Sequence, residues 1–508
     1  MPDTVSTTIK SLVPKSSGEN SHIAWGWRGR SAAVATSLVA KSPLPRWIWV
    51  VSVLLATVGL FTPNGFLTSA SVMALPFLAR ILWFRSEPPV LAFACVMQWL
   101  QSTLAVFRTN YYGVSLTEYG GPELTQASWL SLAGVLVLAI GIRTALWRRR
   151  SVTDQVMKES RELLPWRIFT MYLGALVTFY FLERFAFTVP ALRQPLLAVT
   201  SLRWAFLFLL FYSVITKQRN YTLLLVSTIL ELVLGVLGYF GGFKDVIFLL
   251  LVAMPLSRGF LRGKRLVAGI LMALVLICLS VVWTAIKGEY RDFLNQGTGE
   301  QVVYESVEAR VLKLPELVGS LDSQALADGL DGAMSRLSYV NFFAACIANV
   351  PANLPYENGA LWGDAITHVL TPRFLFPDKA ALDDSIQTSY YTGTEVAGAE
   401  HGTSIGLGYM AQSYVDFGPL GMFVPIFLLG VFYGVIYRFF SNTKHKILGL
   451  AIATALLIFS ANKVETTCVK LLGGNLMGLI VLGLFAIVAG EWVWRFVTGR
   501  SESLPGYR

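Results

Sequence analysis

Charge is scarce in this chain of 508 residues: Asp, Glu, Lys and Arg make up 14%, against roughly 25% in a soluble domain. Histidine is scarcer still. Its four copies are scattered, which argues against a histidine-based metal site. The four cysteines, Cys95, Cys278, Cys346 and Cys468, stand far apart with no Cys-x-x-Cys pair. They spell out no disulfide framework and read as packing residues. There is no Walker A loop, no GxGxxG following a strand and no HExxH. With no nucleotide-handling module in sight, energy for any reaction has to arrive with the substrate or from an ion gradient. Residues 1–45 are polar and basic and lack the short apolar core and small-residue cleavage site of a signal peptide. The expectation is a mobile cytoplasmic tail, followed by a first apolar helix acting as signal anchor. Neither an internal repeat nor a low-complexity segment is visible.

What the chain has in abundance is apolar surface, 54% of its residues. About 20 apolar residues in a row cross the hydrocarbon core as a helix. Twelve such spans are expected, at 47–62, 66–84, 89–107, 128–147, 168–188, 200–216, 221–241, 245–257, 266–286, 418–438, 447–461 and 472–494, the shortest being 245–257 and 447–461. Cytoplasmic loops are enriched in Lys and Arg. With the N-terminus inside, Arg28, Arg30, Lys41 and Arg46 share one side with Arg80, Arg85, Arg148, Arg149 and Arg150, and with Lys217, Arg219, Arg258, Arg262, Lys264 and Arg265. Lys444, Lys446, Arg495 and Arg500 fall on that side too. The expected fold class is therefore an all-α, polytopic membrane protein of about twelve transmembrane helices, with both termini cytoplasmic. Residues 46–286 hold helices one to nine, 418–495 hold helices ten to twelve, and 496–508 form a short tail.

One connection breaks the short-loop pattern. Residues 287–417 contain seven Lys/Arg and seventeen Asp/Glu, a net of −10, which leaves the rest of the chain 34 basic and 14 acidic residues, a net of +20. A stretch this long is no linker, and it is expected to form one large extracytoplasmic domain. Its apolar piece at 337–351 is too short for a span and reads as a buried or interfacial helix. Within the same loop, "TPRFLFPDKAALDDS" at 371–385 sets two prolines around aromatics and charges.

Several cations sit where a membrane protein seldom keeps them. Arg184, Arg193, Arg203 and Lys244 fall at outer helix ends, and the apolar run after Lys244 and Asp245 is short enough to sink Lys244 below the surface. Ionisable groups at that depth face a cavity or a partner. Two readings stand side by side. Glu183 neutralises Arg184 and Asp245 neutralises Lys244, or the cations form a patch for an anion such as a phosphate, which Arg contacts bidentately. Glu231, a lone acid in mid-span, calls for a hydrogen-bonded partner or a proton path. The loop aromatics Tyr290, Tyr304, Tyr339, Tyr356, Trp362, Phe374, Phe376, Tyr390 and Tyr391 are candidates for stacking on sugar rings, or for the loop's own core.

The order of these landmarks resembles the Wzy-type bacterial polysaccharide polymerases, which assemble O-antigen or exopolysaccharide repeat units. The segments that carry the likeness are "GYFGGFKDVIFLLL" (238–251), "WTAIKGEYRDF" (283–293), "SRLSYVNFF" (335–343), "LPYENGALWGDAITHVLTPRFLFPDKA" (354–380) and "GTSIGLGYMAQSYVDFGPLGMFVPIFLLG" (402–430). The likeness covers about 238–430, and the N-terminal helices match in topology only. It implies a GT-C-like helical fold in the bacterial inner membrane, needing neither metal nor cofactor. The activity implied is a glycosyltransferase that moves a growing chain from undecaprenyl pyrophosphate to the end of a new lipid-linked repeat unit. A flippase and a chain-length regulator of the same pathway are the implied partners, besides membrane lipid and with no nucleic acid. Arg291 and Arg336 lie in the matching segments and join Lys244, Arg184 and Arg203 as candidate substrate-binding residues. Pro372 and Pro377 stiffen their segment and would hold Arg373 and Lys379 over the patch as a pyrophosphate clamp, unless Arg373 merely pairs with a loop carboxylate. Candidate bases for the acceptor hydroxyl are Glu400, His401 and Asp378, with Glu395 and the pair Asp383 and Asp384 behind them. Gln412 stands where an acid is expected, so that position is no base.

A lipid-linked oligosaccharide flippase or other transporter also suits twelve spans, though the large loop and the lack of paired repeats speak against it. A glycan ligase shares the donor and the loop, and a non-catalytic scaffold would leave Arg184, Lys244 and Arg373 dispensable. Reporter fusions after Arg150, Arg219 and Lys446 are expected to read as cytoplasmic and one near Gly329 as external. A cytoplasmic reading at Gly329 overturns the arrangement.

Overall fold

Helices α1 (Arg46–Gly59), α2 (Gly65–Leu82), α3 (Val90–Tyr111), α4 (Leu116–Ala145), α5 (Thr153–Glu162) and α6 (Pro165–Thr188) open the chain. A 3₁₀ turn at Pro190–Leu192 leads into α7 (Arg193–Thr200), α8 (Leu202–Lys217), α9 (Tyr221–Val236), α10 (Phe243–Ala253) and α11 (Lys264–Leu294). Then come α12 (Val307–Gly319), α13 (Ser323–Leu337), α14 (Val340–Asn349), α15 (Ala360–Leu370), α16 (Asp384–Thr392) and α17 (Tyr409–Gly421). The last four are α18 (Phe423–Ser441), α19 (Lys446–Ser460), α20 (Cys468–Val488) and α21 (Gly490–Thr498). The computed structural model describes residues 44–84, 86–149, 152–239, 241–256, 260–261, 263–299, 302–371, 376, 383–398 and 404–500, and no strand occurs among them.

Among the described residues, eight helical stretches are long and apolar enough to cross a membrane: α2, α3, α4, α6, the run Pro190–Lys217, α11, α18 and α20. The other four expected spans fold shorter, with 14 residues in α1, 16 in α9, 11 in α10 and 15 in α19. At 1.5 Å per residue α19 rises about 22 Å and α10 about 16 Å, both less than the roughly 30 Å of a hydrocarbon core. The apolar window of α11 has no buried residue. Val267, Ile270, Leu271, Leu274 and Val275 all point outward from it, a surface that fits a membrane protein. Between α11 and α18 the described residues form the helices α12 to α17. The apolar piece near 337–351 forms the ten-residue α14, whose Val340, Phe343, Ala344, Cys346 and Ile347 are buried where it packs against α4 and α16.

The core is organised around the crossing of α4 and α18. α4 starts at a capping box, in which the Glu118 N–H donates to Ser115 Oγ and the Ser115 N–H donates to Glu118 Oε2. Further along, a Cβ on Gly141 would run into the carbonyl oxygen of Phe427, and one on Gly430 into that of Leu138. The two backbones touch because both residues lack a side chain. α18 in turn follows α17 directly through a bend at Gly418, where φ is +69° and Pro419 comes next.

A non-helical segment, 461–467, lies inside this bundle, and its backbone groups are satisfied by side chains of neighbouring helices. Gln98 Nε2 donates to the Ala461 carbonyl (2.7 Å) and Gln101 Nε2 to the Asn462 carbonyl (2.7 Å), while the Val464 N–H donates to Gln101 Oε1 (3.0 Å). The Tyr409 hydroxyl donates to Gln98 Oε1, and the Cys468 N–H donates to Gln412 Oε1. Gln98 and Gln101 stand about ten residues before the end of α3, or about 15 Å of helix rise. The segment is therefore recessed.

Gln101→Leu leaves the Asn462 carbonyl and the Val464 N–H of this recessed backbone without their partner. Each buried group left unpaired costs about 1–3 kcal/mol. The purified variant should melt at a clearly lower temperature than the parent in the same detergent. An unchanged melting point would mean that the segment does not depend on these bonds.

Candidate functional site

Three short helices carry charged residues at or beside their ends or in their interior. α9 carries Glu231 in its interior, α10 opens with Lys244 and Asp245, and the end of α19 gives way to Lys463 and Glu465. Glu231, 3% exposed, accepts a hydrogen bond from the Tyr172 hydroxyl at 2.8 Å and faces Arg203 Nη2 at 3.5 Å. The lone acid thus has the partners its position calls for. The Arg203 guanidinium also lies 4.4 Å over the Trp204 ring, and Trp204 packs on Phe459 with ring centroids 5.1 Å apart.

Phe459 forms one wall of a cavity of about 400 Å³, within the usual range for small-ligand sites. Asp384, Ser404, Lys463, Glu465, Thr466 and Lys470 also line it. The acidic pair that opens α16 divides its work. Asp383 caps the helix by accepting from the N–H groups of Ser385 and Ile386, which leaves Asp384 for the cavity. There Asp384 forms an ion pair with Lys470 and accepts from Ser404 Oγ at 3.1 Å. Lys470 Nζ also donates to Ser404 Oγ at 3.3 Å. Gly402, Ser404 and Gly406 match the spacing of a hydrolase nucleophile elbow. That device needs a strand running into a helix, and the described residues contain no strand, so the spacing carries no such role.

Beside the cavity the cations crowd together. Lys244 lies within electrostatic reach of Lys463 and Arg336, and Lys287 of Arg336 and Arg291. Asp245 feels Lys244, Lys463 and Arg203. Among the described residues, none of Lys244, Lys287, Arg336 and Lys463 has a hydrogen-bonded or ion-paired side-chain partner. Like charges within reach of one another repel. An anion bearing more than one charge would relieve that repulsion.

Of the residues singled out in the sequence, Lys244, Arg203, Arg336 and Arg291 come together here. Arg291 donates from Nε to the Tyr239 carbonyl at 3.2 Å and lies 4.8 Å over the Tyr239 ring. Lys244 and Asp245 are neighbours without an ion pair between them. Arg184 stands apart, exposed and 4.6 Å over the Tyr180 ring. Arg193 likewise packs over Phe187 at 4.2 Å. Arg373, Lys379, Asp378, Glu400 and His401 lie outside the described residues. Tyr290, Tyr339, Trp362 and Tyr391 are buried and belong to the core, whereas Tyr304, Phe376 and Tyr390 are exposed. Gln412 is buried and bridges the Gln387 side chain and the Cys468 N–H, which explains a neutral amide at that position.

Sequence reading missed Lys463, Glu465 and Lys470, because the run 462–470 passes for a connection between two spans. The available signal was the shortness of the 447–461 run, which leaves the next residues deep in the bundle.

No curated protein and no solved structure matches this chain. One family does, over residues 126–465, a stretch that holds the whole cation cluster and all of the cavity's charged lining except Lys470. With more than half of its length matched, the chain belongs to the family described as a domain of unknown function, DUF8712.

Proposed function

We propose that the protein is a membrane glycosyltransferase of the Wzy type, with a GT-C-like fold. It would join oligosaccharide repeat units linked to lipid pyrophosphate into a surface polysaccharide, at the outer face of the inner membrane. The observation that carries this reading is the group of cations without partners, Lys244, Lys287, Arg336 and Lys463, beside a cavity lined by carboxylates. A pyrophosphate ester brings negative charge to such a group. As the glycosidic bond breaks, charge grows on the leaving pyrophosphate, and cations already aimed at it lower the barrier without reorganising. Arg203, fixed by Glu231 and Trp204, stands at the edge of the same cluster. The recess of the site suits a substrate whose tail stays in lipid while its headgroup reacts. The twelve-span count, the two cytoplasmic termini and the external loop 287–417 belong to this proposal, since they put the cavity on the side where lipid-linked repeat units are presented.

Deleting the gene and analysing the surface polysaccharide tests the reading. Single lipid-linked repeat units accumulating outside support it. Accumulation inside marks a flippase, and long unattached chains mark a ligase. At the residue level, Lys244→Ala and Lys463→Ala should abolish long polymer while protein in the membrane stays near normal, because neither side chain supports the fold through a hydrogen bond. Each should weaken binding of undecaprenyl pyrophosphate in detergent by about 1.5–3 kcal/mol, or roughly 10- to 150-fold. The parent's binding should weaken as salt is raised. Normal polymer from both variants would remove the cluster from the mechanism.

A further inference from the structure

The cavity holds two carboxylates with different partners. Asp384 is engaged through Oδ2 by Lys470 and by Ser404. Glu465 lines the same cavity, is half-buried and has no hydrogen bond or ion pair through its side chain among the described residues. It lies within electrostatic reach of Lys244. Its backbone is held from both sides, by the Val464 N–H on Gln101 and by the Tyr409 N–H on the Thr466 carbonyl at 3.0 Å. The Tyr339 hydroxyl, within electrostatic reach of Glu465 and Asp384, is buried without a hydrogen-bond partner. So is the hydroxyl of Thr467, two residues after Glu465.

We infer that this cavity receives the terminal sugar of the acceptor and that Glu465 is the catalytic base for its attacking hydroxyl; the inference rests on the polymerase reading. Phe459 offers the sugar ring an apolar wall. Ser404 and the Asp384–Lys470 pair offer its other hydroxyls donors and acceptors. The acceptor oxygen attacks the anomeric carbon of the donor sugar. The bond from that carbon to the phosphate oxygen breaks, and its electron pair leaves with the lipid pyrophosphate. The hydroxyl proton passes to the Glu465 carboxylate and from there to water. Lys463 serves both halves of the site, since it lines the cavity and belongs to the cation cluster. The departing pyrophosphate then lies on one side of the reacting carbon and the base on the other.

The test uses the full chain in detergent, with lipid-linked repeat units isolated from cells lacking it. Glu465→Gln should lower turnover by roughly 10² to 10⁴. It should bind undecaprenyl pyrophosphate like the parent and lose the acid limb of the kcat/KM pH profile. Phe459→Ala should raise KM for the acceptor more than it lowers kcat. If Glu465→Gln fails to accumulate in the membrane, Glu465→Asp replaces it, with reduced turnover, intact lipid binding and a retained acid limb expected. Should the parent polymerise while Glu465→Gln, or its Asp replacement, turns over at the parental rate, the base assignment is overturned and the polymerase reading stands. A parent that neither polymerises nor binds undecaprenyl pyrophosphate sinks the polymerase reading, and this inference with it.

Discussion

The contact of Gly141 with the backbone of α18, and of Gly430 with the backbone of α4, sets the position of much else. Two helices that touch through bare backbone have one register and one separation, because any added side-chain atom would collide. With α18 fixed, α17 is fixed through the bend at Gly418. α17 then supplies Tyr409 and Gln412, whose hydrogen bonds reach Gln98, Thr466 and Cys468. The segment that bears Lys463 and Glu465 is therefore located by a chain of contacts that begins far from it.

Holding non-helical backbone inside an apolar bundle is expensive unless every N–H and C=O finds a partner. Gln98 and Gln101 answer that demand from α3. The short α19 creates the demand in the first place by ending before its neighbours do. In the short α9 and α10, Glu231 is buried and Asp245 half-buried, with Lys244 exposed next to Asp245. The recess of the 461–467 segment and the charges near it thus share one origin, namely helices that end before their neighbours. Where cations collect without hydrogen-bonded partners, a multiply charged anion would offset their mutual repulsion.

How much of this was legible beforehand differs from residue to residue. Lys244 and Arg203 could be picked out because a cation next to an apolar run violates a strong local rule. Glu231 stood out for the same reason, but its partners Tyr172 and Arg203 come from other helices, 59 and 28 residues away in the chain. Lys463, Glu465 and Lys470 broke no local rule, since charges between two spans are what a connecting loop normally has. Arg184 broke the rule and yet stands outside the cluster, because its helix turns it toward Tyr180. The buried aromatics Tyr290 and Trp362 show the same limit, since composition marks an aromatic residue but not the side of the wall it faces.

The sequence by itself determined that the chain is helical and apolar, where most of its helices run, and that a long acidic stretch separates two sets of them. These are properties of periodicity and local composition, which need no knowledge of neighbours. Only the tertiary structure decided how long each helix is, which glycines carry the central crossing, and which charges meet. It joined the 462–470 segment to residues of α3, α10 and α16, and so made a cavity out of what looked like a connection. Such a meeting depends on hydrogen bonds and close packing between positions hundreds of residues apart, and no local pattern encodes it.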